Sequence, residues 1–199
     1  KDTKSIILEL SKKINNCIEL GTVPFSILAR HGFIAKTILE SLQYHKVFSK
    51  TDPEIFYGSI HTVAGQYEED VNLLQKGLLE KKEFMHIYGH LRPGTYDITS
   101  KRYDQSKDLY NDNESFNLNS SPAFELSHIQ KEQINHLLKD LKCNNFFADD
   151  LMNYVKQSIS GREYGKFVFT RSVSDILEQV YDLAKLNEIS RSEISHVPI

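Results

Sequence analysis

Apolar residues recur at helical spacing along the first part of the chain. Behind Asp2, a good N-cap, they follow one another three or four positions apart as far as Ile18. Gly21 predicts the end of this first helix. Pro24 then predicts the first turn of a second helix, since proline is tolerated where the N–H group has no helical partner.

A third, longer helix is predicted to follow. Asp52-Pro53 is a strong start signal, and apolar residues continue at helical spacing to Leu74. Gly77 is the first residue that would loosen its end. The pattern therefore predicts three helices before residue 82.

The pattern changes between residues 89 and 123. Gly89, Pro93 and Gly94 fall here among many Asp, Asn, Ser and Tyr residues, and no period of 3.6 residues is present. Irregular stretches of this length are uncommon in compact domains and are often functional or disordered. We expect specific side chains in the first part and a mobile surface loop over residues 104–121.

Helical spacing returns after Ser127, a good N-cap, and is interrupted at residues 144–145. A further helix is predicted from about Phe147. It can continue to Leu183, because two glycines four residues apart permit either a kink or a close helix crossing. A capping box, Ser-x-x-Glu, predicts one short final turn from residue 190.

These elements together predict an all-α protein. We expect a bundle of about five to six helices, with one long irregular loop near residues 89–123. The chain is expected to be a single helical domain over residues 1–199, or a fragment of a larger multidomain enzyme, because it begins with lysine. A helical half (1–82) and a second helical half (127–199) would flank the functional loop.

The composition narrows the function classes. Hydrophobic residues make up 40% of the chain and charged residues make up 26%, an ordinary balance for a globular protein. The formal net charge is −3, so the sequence shows no excess of positive charge that would indicate nucleic-acid binding. No apolar run approaches the roughly 20 residues that span a bilayer. Cys17 and Cys143 lack the spacing of a redox or zinc motif, which indicates a reducing, cytoplasmic compartment.

Motifs of self-contained enzymes are missing from the sequence. Neither a phosphate-binding glycine loop nor a dinucleotide fingerprint occurs, and there is no HExxH zinc motif or GxSxG nucleophile elbow. We therefore predict no catalytic residue and no metal ligand in this chain.

One short segment, residues 88–104, concentrates chemically specific side chains. It reads YGHLRPGTYDITSKRYD. Arg92 and Arg102 offer planar forks that suit phosphate or carboxylate groups. His90 could donate to an anion or carry a proton, and Asp97 could orient an arginine. An equally physical interpretation is that these groups pair with one another and only hold the loop.

Two further clusters interrupt predicted helices. Arg30 and His31 lie in PFSILARHGFIAK, followed by a glycine that a helix interior rarely needs. Arg162 and Lys166 lie four residues apart in GREYGK and would share one side of a helix. A solvated helix face accounts for both clusters as well as a binding role does.

The order of these motifs resembles one enzyme family. YGHLRPGTYDITSKRYD, ARHGFIAK, SISGREYGKFVFTRSVSDILEQV and ISRSEISHVPI are together similar to the central region of the phosphoenolpyruvate synthase and pyruvate, phosphate dikinase type of enzyme. This family includes the rifampin-phosphotransferase-like and other PEP-utilising proteins. The resemblance covers most of residues 22–199.

The resemblance implies a function and a set of partners. The family splits ATP and moves a phosphoryl group through a histidine on a mobile domain to an acceptor. The chain would be the central, acceptor-binding region, not catalytically competent alone, and would bind no cofactor itself. ATP and Mg²⁺ would serve the parent enzyme. The ATP-grasp and phosphohistidine domains of that chain would be its partners, with a small anionic acceptor and neither nucleic acid nor membrane.

The same resemblance implies the residues of an acceptor pocket. They are His90, Arg92, Tyr96, Asp97 and Arg102, with Arg30, His31, Arg162 and Lys166 as neighbours. LRPGTYD stands where the rifampin enzymes have a different run, so rifampin is not implied as the acceptor. Two alternatives remain: a structural helical spacer and a stand-alone helical binding module.

Overall fold

The computed structural model describes residues 3–105 and 123–197, and this part of the chain is all-α. Within these ranges it contains eight α-helices, one π-helical turn and one 3-10 turn, and no strand. The helices are α1 (Thr3–Cys17), α2 (Val23–Tyr44), α3 (Asp52–Gly58), α4 (Val63–Gln75), α5 (Lys81–Tyr88), α6 (His128–Asp140), α7 (Ala148–Lys185) and α8 (Arg191–Ile194). The predicted fold class is confirmed. The predicted N-cap Asp2 and most of the predicted mobile loop lie outside the described residues.

The described residues form two compact units. The first unit contains residues 3–25, 66–105 and 165–197, and the second contains residues 26–65 and 123–164. Each unit therefore draws on both helical halves of the sequence.

The first two predicted helices are joined by a π-helical turn, Ile18–Thr22. The prediction that Gly21 ends a helix is therefore wrong. A Cβ atom at Gly21 would lie only 3.0 Å from Cβ of Phe169, so close packing accounts for the glycine. Pro24 cannot donate a backbone hydrogen bond, and the widened turn before it accommodates that loss.

The third predicted helix is divided into α3 and α4. Ser59 donates its hydroxyl to the carbonyl oxygen of Phe56 at 2.7 Å, which closes the end of α3. The hydroxyl oxygen of Thr62 accepts from the N–H of Gly65 at 3.3 Å at the start of α4. The prediction of a single long helix was wrong because serine and threonine side chains offer the backbone other hydrogen-bond partners here. Gly77 follows α4 with a φ of +69°, as expected of a residue that ends a helix.

The second unit has the larger apolar core. Side chains from α2, α3, α6 and α7 enclose it, and its buried members are Ala35, Leu39, Leu42, Val47, Phe48, Phe56, Ile60, Ile134, Leu138, Ala148, Met152 and Val155. The predicted start of α6 is confirmed, because Ser127 and Gln130 form a reciprocal capping box.

The first unit is built around α5, a helix the sequence analysis did not predict. Phe84 and Tyr88 of α5 are almost fully buried and pack with Val71 and Phe167. The Tyr88 hydroxyl donates to the carboxylate of Asp70 at 2.7 Å. The helix has only eight residues and its N-cap, Glu80, makes no side-chain cap, so its sequence signal is weak.

The longest helix, α7, is helical throughout its 38 residues. A Cβ atom at Gly161 would meet Leu28 at 3.8 Å, an ordinary contact, so packing does not require glycine at that position. The predicted capping box before α8 is confirmed, because Ser190 and Glu193 exchange hydrogen bonds.

Candidate functional site

The segment of residues 89–105 is held against α7 by Arg92. This side chain is only 1% exposed. Its Nη1 donates to the carbonyl oxygens of Asp97 (3.3 Å) and Ser100 (3.0 Å) within the segment. Its Nη2 donates to the Ser174 carbonyl at 3.2 Å, the Ser174 hydroxyl at 2.9 Å and the Glu178 carboxylate at 3.0 Å. Arg92 therefore joins the segment to α7, and its guanidinium does not face solvent.

Glu178 is the carboxylate on which several of these contacts converge. It also accepts from Arg191 of α8, at 2.5 Å and 3.1 Å, and from Gln105 at 2.6 Å. Burial alone would raise the pKa of Glu178, but the hydrogen bonds from Arg191, Gln105 and Arg92 outweigh it and hold the pKa below its ordinary value. Arg191 in turn donates to the Ile98 carbonyl at 2.8 Å. A single carboxylate thus ties two arginines from different elements to α7.

Arg102 is paired on both sides. Its Nε and Nη2 donate to the two carboxylate oxygens of Asp104 at 3.1 Å and 2.8 Å, and its Nη1 donates to Asp175 at 2.5 Å. The side chain is 15% exposed, so part of the guanidinium reaches the surface. Arg102 combines a fixed orientation with partial access to solvent.

His90 is buried beside these arginines. Neither ring nitrogen has a hydrogen-bond partner in the described part of the chain, and the ring lies 5.0 Å from that of Phe167. Burial lowers the pKa of His90 to about 4, and the positive charges of Arg171 and Arg102 add to the effect. The backbone carbonyl of His90 accepts from the Ser174 hydroxyl at 2.7 Å. The imidazole is therefore a neutral, enclosed group at neutral pH.

Asp97 and Tyr96 lie on the outer side of the segment and are exposed. Asp97 Oδ1 accepts from the Thr99 hydroxyl at 2.7 Å and from the Thr99 N–H at 2.8 Å, and these bonds lower the pKa of Asp97. A Cβ atom at Gly94 would come within 2.8 Å of the Asp97 Cβ, so this turn requires glycine. Asp97 shapes the loop, and the hydrogen bond that it accepts from Arg92 is made by its backbone carbonyl.

The second unit holds three of the predicted site residues, Arg30, His31 and Arg162. His31 Nδ1 lies 2.9 Å from the Tyr154 hydroxyl. The stem of Arg162 crosses Gly32, where a Cβ atom would lie 2.5 Å from its Cδ. The glycine that looked out of place in the α2 sequence therefore makes room for an arginine from α7. Arg30 is exposed on α2.

The remaining six predicted residues, His90, Arg92, Tyr96, Asp97, Arg102 and Lys166, belong to the first unit. Of these, His90, Arg92 and Arg102 gather around α7, whereas Lys166 is exposed on that helix. Ser174 and Glu178 were not predicted as site residues from the sequence. Their spacing of four residues on a helix was the available signal, because it places two polar groups on one face.

A cleft of about 710 Å³ opens beside Arg102. Three basic side chains line it with Arg102, and the full lining is Lys101, Arg102, Asp104, Gln105, Glu178, Tyr181, Asp182, Lys185 and Arg191. Tyr181 supplies an aromatic face, with the Arg191 guanidinium 3.9 Å and the Lys185 ammonium 4.3 Å from the ring centre. The cleft thus presents oriented cations, an aromatic ring and carboxylates.

Comparison with known proteins identifies no relative of this chain. No family model, curated protein or solved structure matches this chain. Within the described residues, no group of three or more His, Cys, Asp or Glu side chains is arranged to hold a metal ion. None of the helices described is both long and apolar enough to cross a bilayer.

Proposed function

We propose that this chain is the central helical region of a phosphotransferase of the phosphoenolpyruvate synthase and pyruvate, phosphate dikinase type, and that the cleft beside Arg102 receives the phosphoryl acceptor. The motifs that carry the resemblance support the first part, since four of them occur in the family's order. The second part rests on one observation, the cleft of about 710 Å³ at Arg102.

The chemistry of the cleft suits an anionic acceptor. Arg102 and Arg191 are fixed in orientation by carboxylates, and Lys101 and Lys185 lie at the same cleft. Oriented guanidinium and ammonium groups bind carboxylate or phosphate oxygens. Their role would be to orient the acceptor and offset its charge while a phosphohistidine from another domain delivers the phosphoryl group. ATP and Mg²⁺ would bind to that other part of the enzyme, in the cytoplasm.

Arg92 has a different role in this proposal. Its guanidinium donates to Ser100, Ser174 and Glu178, so it positions the 89–105 segment and does not contact the acceptor. An Arg92→Ala variant would therefore test folding of the segment. Variants at the rim of the cleft test acceptor binding more cleanly.

The test uses the full-length protein that contains this chain. The double variant Lys101→Ala/Lys185→Ala removes two rim cations, and Lys82→Ala removes an exposed lysine of α5 that does not line the cleft. Acid-labile phosphohistidine formed from ATP is measured first, and its discharge by pyruvate or inorganic phosphate is measured next. We expect unchanged phosphorylation and discharge slowed about tenfold or more in the double variant, because each charge-assisted hydrogen bond contributes roughly 1.5–3 kcal/mol. Discharge at the wild-type rate would contradict the acceptor site.

A second candidate function is that of a structural spacer without a ligand. It is favoured by the pairing of the cleft's cations, since Arg102 meets Asp104 and Asp175, and Lys185 lies 3.4 Å from Asp182. In that case the double lysine variant would transfer phosphate normally. Glu178→Gln would then impair transfer only to the extent that it destabilises the first unit.

A further inference from the structure

A second concavity of the first unit, distinct from the cleft beside Arg102, lies between the α1 end of the chain and α7. Its volume is about 420 Å³, within the range of roughly 300–1,000 Å³ that small-molecule sites occupy. One wall comes from the last turns of α1 and the π-helical turn, and the other comes from residues 168–176 of α7. We refer to it as the π-turn groove.

The walls of the π-turn groove are largely apolar. Cys17 and Phe169 are buried at its base, and Leu20 and Val168 stand at its mouth. Leu20 is 78% exposed and Val168 is 50% exposed, so the fold leaves apolar surface in water where the groove opens. A ligand with an apolar body would cover this surface, and the removal of apolar area from water favours binding.

The polar groups of the groove favour a negative charge on that ligand. Lys13 lines the groove, and its ammonium lies 3.6 Å from Glu9 in an exposed pair of a kind that contributes little. The opposite charge, Asp175, is already engaged by Arg102 at 2.5 Å. Lys13 is thus the charged group of the groove that is least engaged, and Asn16 beside it adds an amide donor.

The π-helical turn widens the helix at the position where the groove lies. Such turns occur often at functional sites, although Pro24 gives this one a local cause as well. Gly21 brings the turn against Phe169, which sets the floor of the groove.

We propose that the π-turn groove binds a small amphiphile with an aliphatic or aromatic body and a single anionic group. The apolar body lies along Leu20, Val168 and Phe169, and the anionic group lies toward Lys13 and Asn16. This site is separate from the proposed acceptor cleft, because no residue lines both; the ion pair of Asp175 with Arg102 is the link between them.

The two cysteines make a direct assay possible. Cys17 lines the groove and is buried, and burial raises the pKa of its thiol, so its alkylation is slow. Cys143 is exposed and belongs to the second unit, so its thiol serves as an internal control. The protein is treated with N-ethylmaleimide, and labelling at each cysteine is followed by mass spectrometry. Octanoate, below its micelle concentration, is the probe; octylammonium and 1-octanol are the matched cationic and neutral probes.

We expect octanoate to slow the labelling of Cys17 in a saturable way and to leave Cys143 unchanged. Lys13→Gln should weaken this protection about two- to fivefold, since an exposed charge pair contributes up to about 1 kcal/mol. Circular dichroism of the variant confirms that its helices remain, because Lys13 makes only a surface contact.

Three results would overturn the proposal. They are labelling of Cys17 that octanoate does not slow, equal protection of Cys143, and protection by octylammonium or octanol as strong as that by octanoate. Protection by octanoate that is the same in Lys13→Gln and wild type would also contradict the assignment of the anion site.

Discussion

The substitution Glu178→Gln tests whether the buried ion pairs of Glu178 hold the 89–105 segment against α7. The substitution keeps the shape of the side chain and one acceptor oxygen, but it removes the negative charge that Arg92 and Arg191 share. Arg92 has a side chain that is 1% exposed, so its charge would be left enclosed without a counter-ion. Removal of one partner of a buried ion pair costs roughly 3–5 kcal/mol.

We expect Glu178→Gln to cost an amount of unfolding free energy near the lower end of that range. Arg92 would keep its hydrogen bonds to the carbonyls of Asp97, Ser100 and Ser174, and Glu178 itself is 15% exposed. We therefore expect a loss of about 3 kcal/mol in the free energy of unfolding of the first unit. With a urea dependence of about 1–3 kcal/mol per M, the midpoint would fall by roughly 1–3 M.

Hydrogen exchange within the native state gives the most specific readout. The N–H of Tyr103 donates to the Leu91 carbonyl at 2.9 Å, and that of Asp104 donates to the Gly89 carbonyl at 3.1 Å. Protection of these two amides reports on the segment alone. Urea unfolding followed by circular dichroism gives the accompanying change in overall stability.

A matched control is available on α2. Glu40 pairs with Lys36 at 3.7 Å with both side chains largely exposed, so Glu40→Gln should change stability by no more than about 0.5 kcal/mol. A loss below about 1 kcal/mol for Glu178→Gln, or equal losses in the two variants, would refute the argument that a buried network holds the segment.

The pH dependence gives a second test of the same carboxylate. Because the pKa of Glu178 is lowered in the folded state, its contribution is present above the ordinary glutamate pKa and is lost as the pH falls through the folded value. Stability measured from neutral pH into the acid range should therefore fall less in Glu178→Gln than in wild type. A parallel fall in both proteins would contradict the assignment.

Three further predictions follow from single residues. His90 has a pKa of about 4, so the unfolded chain binds a proton that the folded chain rejects between about pH 4 and pH 6.5. Stability should fall as pH decreases through this window, by up to about 3 kcal/mol, and His90→Leu should flatten the curve. Gly32→Ala should be neutral or destabilising in wild type but stabilise an Arg162→Ala background by up to about 1 kcal/mol, because the Cβ clash is then removed. Gly77→Ala should cost about 1–2 kcal/mol through its φ of +69° alone, since no atom lies within 4 Å of the added Cβ. Urea unfolding measures each change.

Each of these predictions has a contradicting result. A pH profile of His90→Leu that matches wild type would remove the histidine from the acid response. Equal effects of Gly32→Ala in the two backgrounds would mean that Arg162 does not occupy the space above the glycine. An unchanged stability in Gly77→Ala would mean that the chain leaves the left-handed conformation at no cost.

The parts of the fold that were predictable depend on local sequence. The capping box at Ser190 and the N-cap at Ser127 depend on residues within one turn, so the sequence alone identified both. The break between α3 and α4 and the π-helical turn were missed, because each depends on competing hydrogen bonds or on packing against a distant side chain such as Phe169.

The candidate site, too, could be predicted only where its residues lie close together in the sequence. The concentration of His90, Arg92 and Arg102 in one segment was visible in the sequence. Their partners Ser174 and Glu178 were not, because they are more than seventy residues distant along the chain, and the helical pattern around them does not show which side chains they contact. Whether an arginine faces solvent or a buried carboxylate depends on such distant partners, so residue type alone left both interpretations open.

The proposed function is tested most directly in the multidomain phosphotransferase that we propose contains this chain. The protein is incubated with ATP labelled in its phosphates, and acid-labile, alkali-stable phosphohistidine is measured before and after pyruvate or inorganic phosphate is added. We expect that labelled histidine forms and is discharged to the acceptor, and that Lys101→Ala/Lys185→Ala slows only the discharge. Absence of phosphohistidine, or discharge that is unaffected by the double variant, would contradict it.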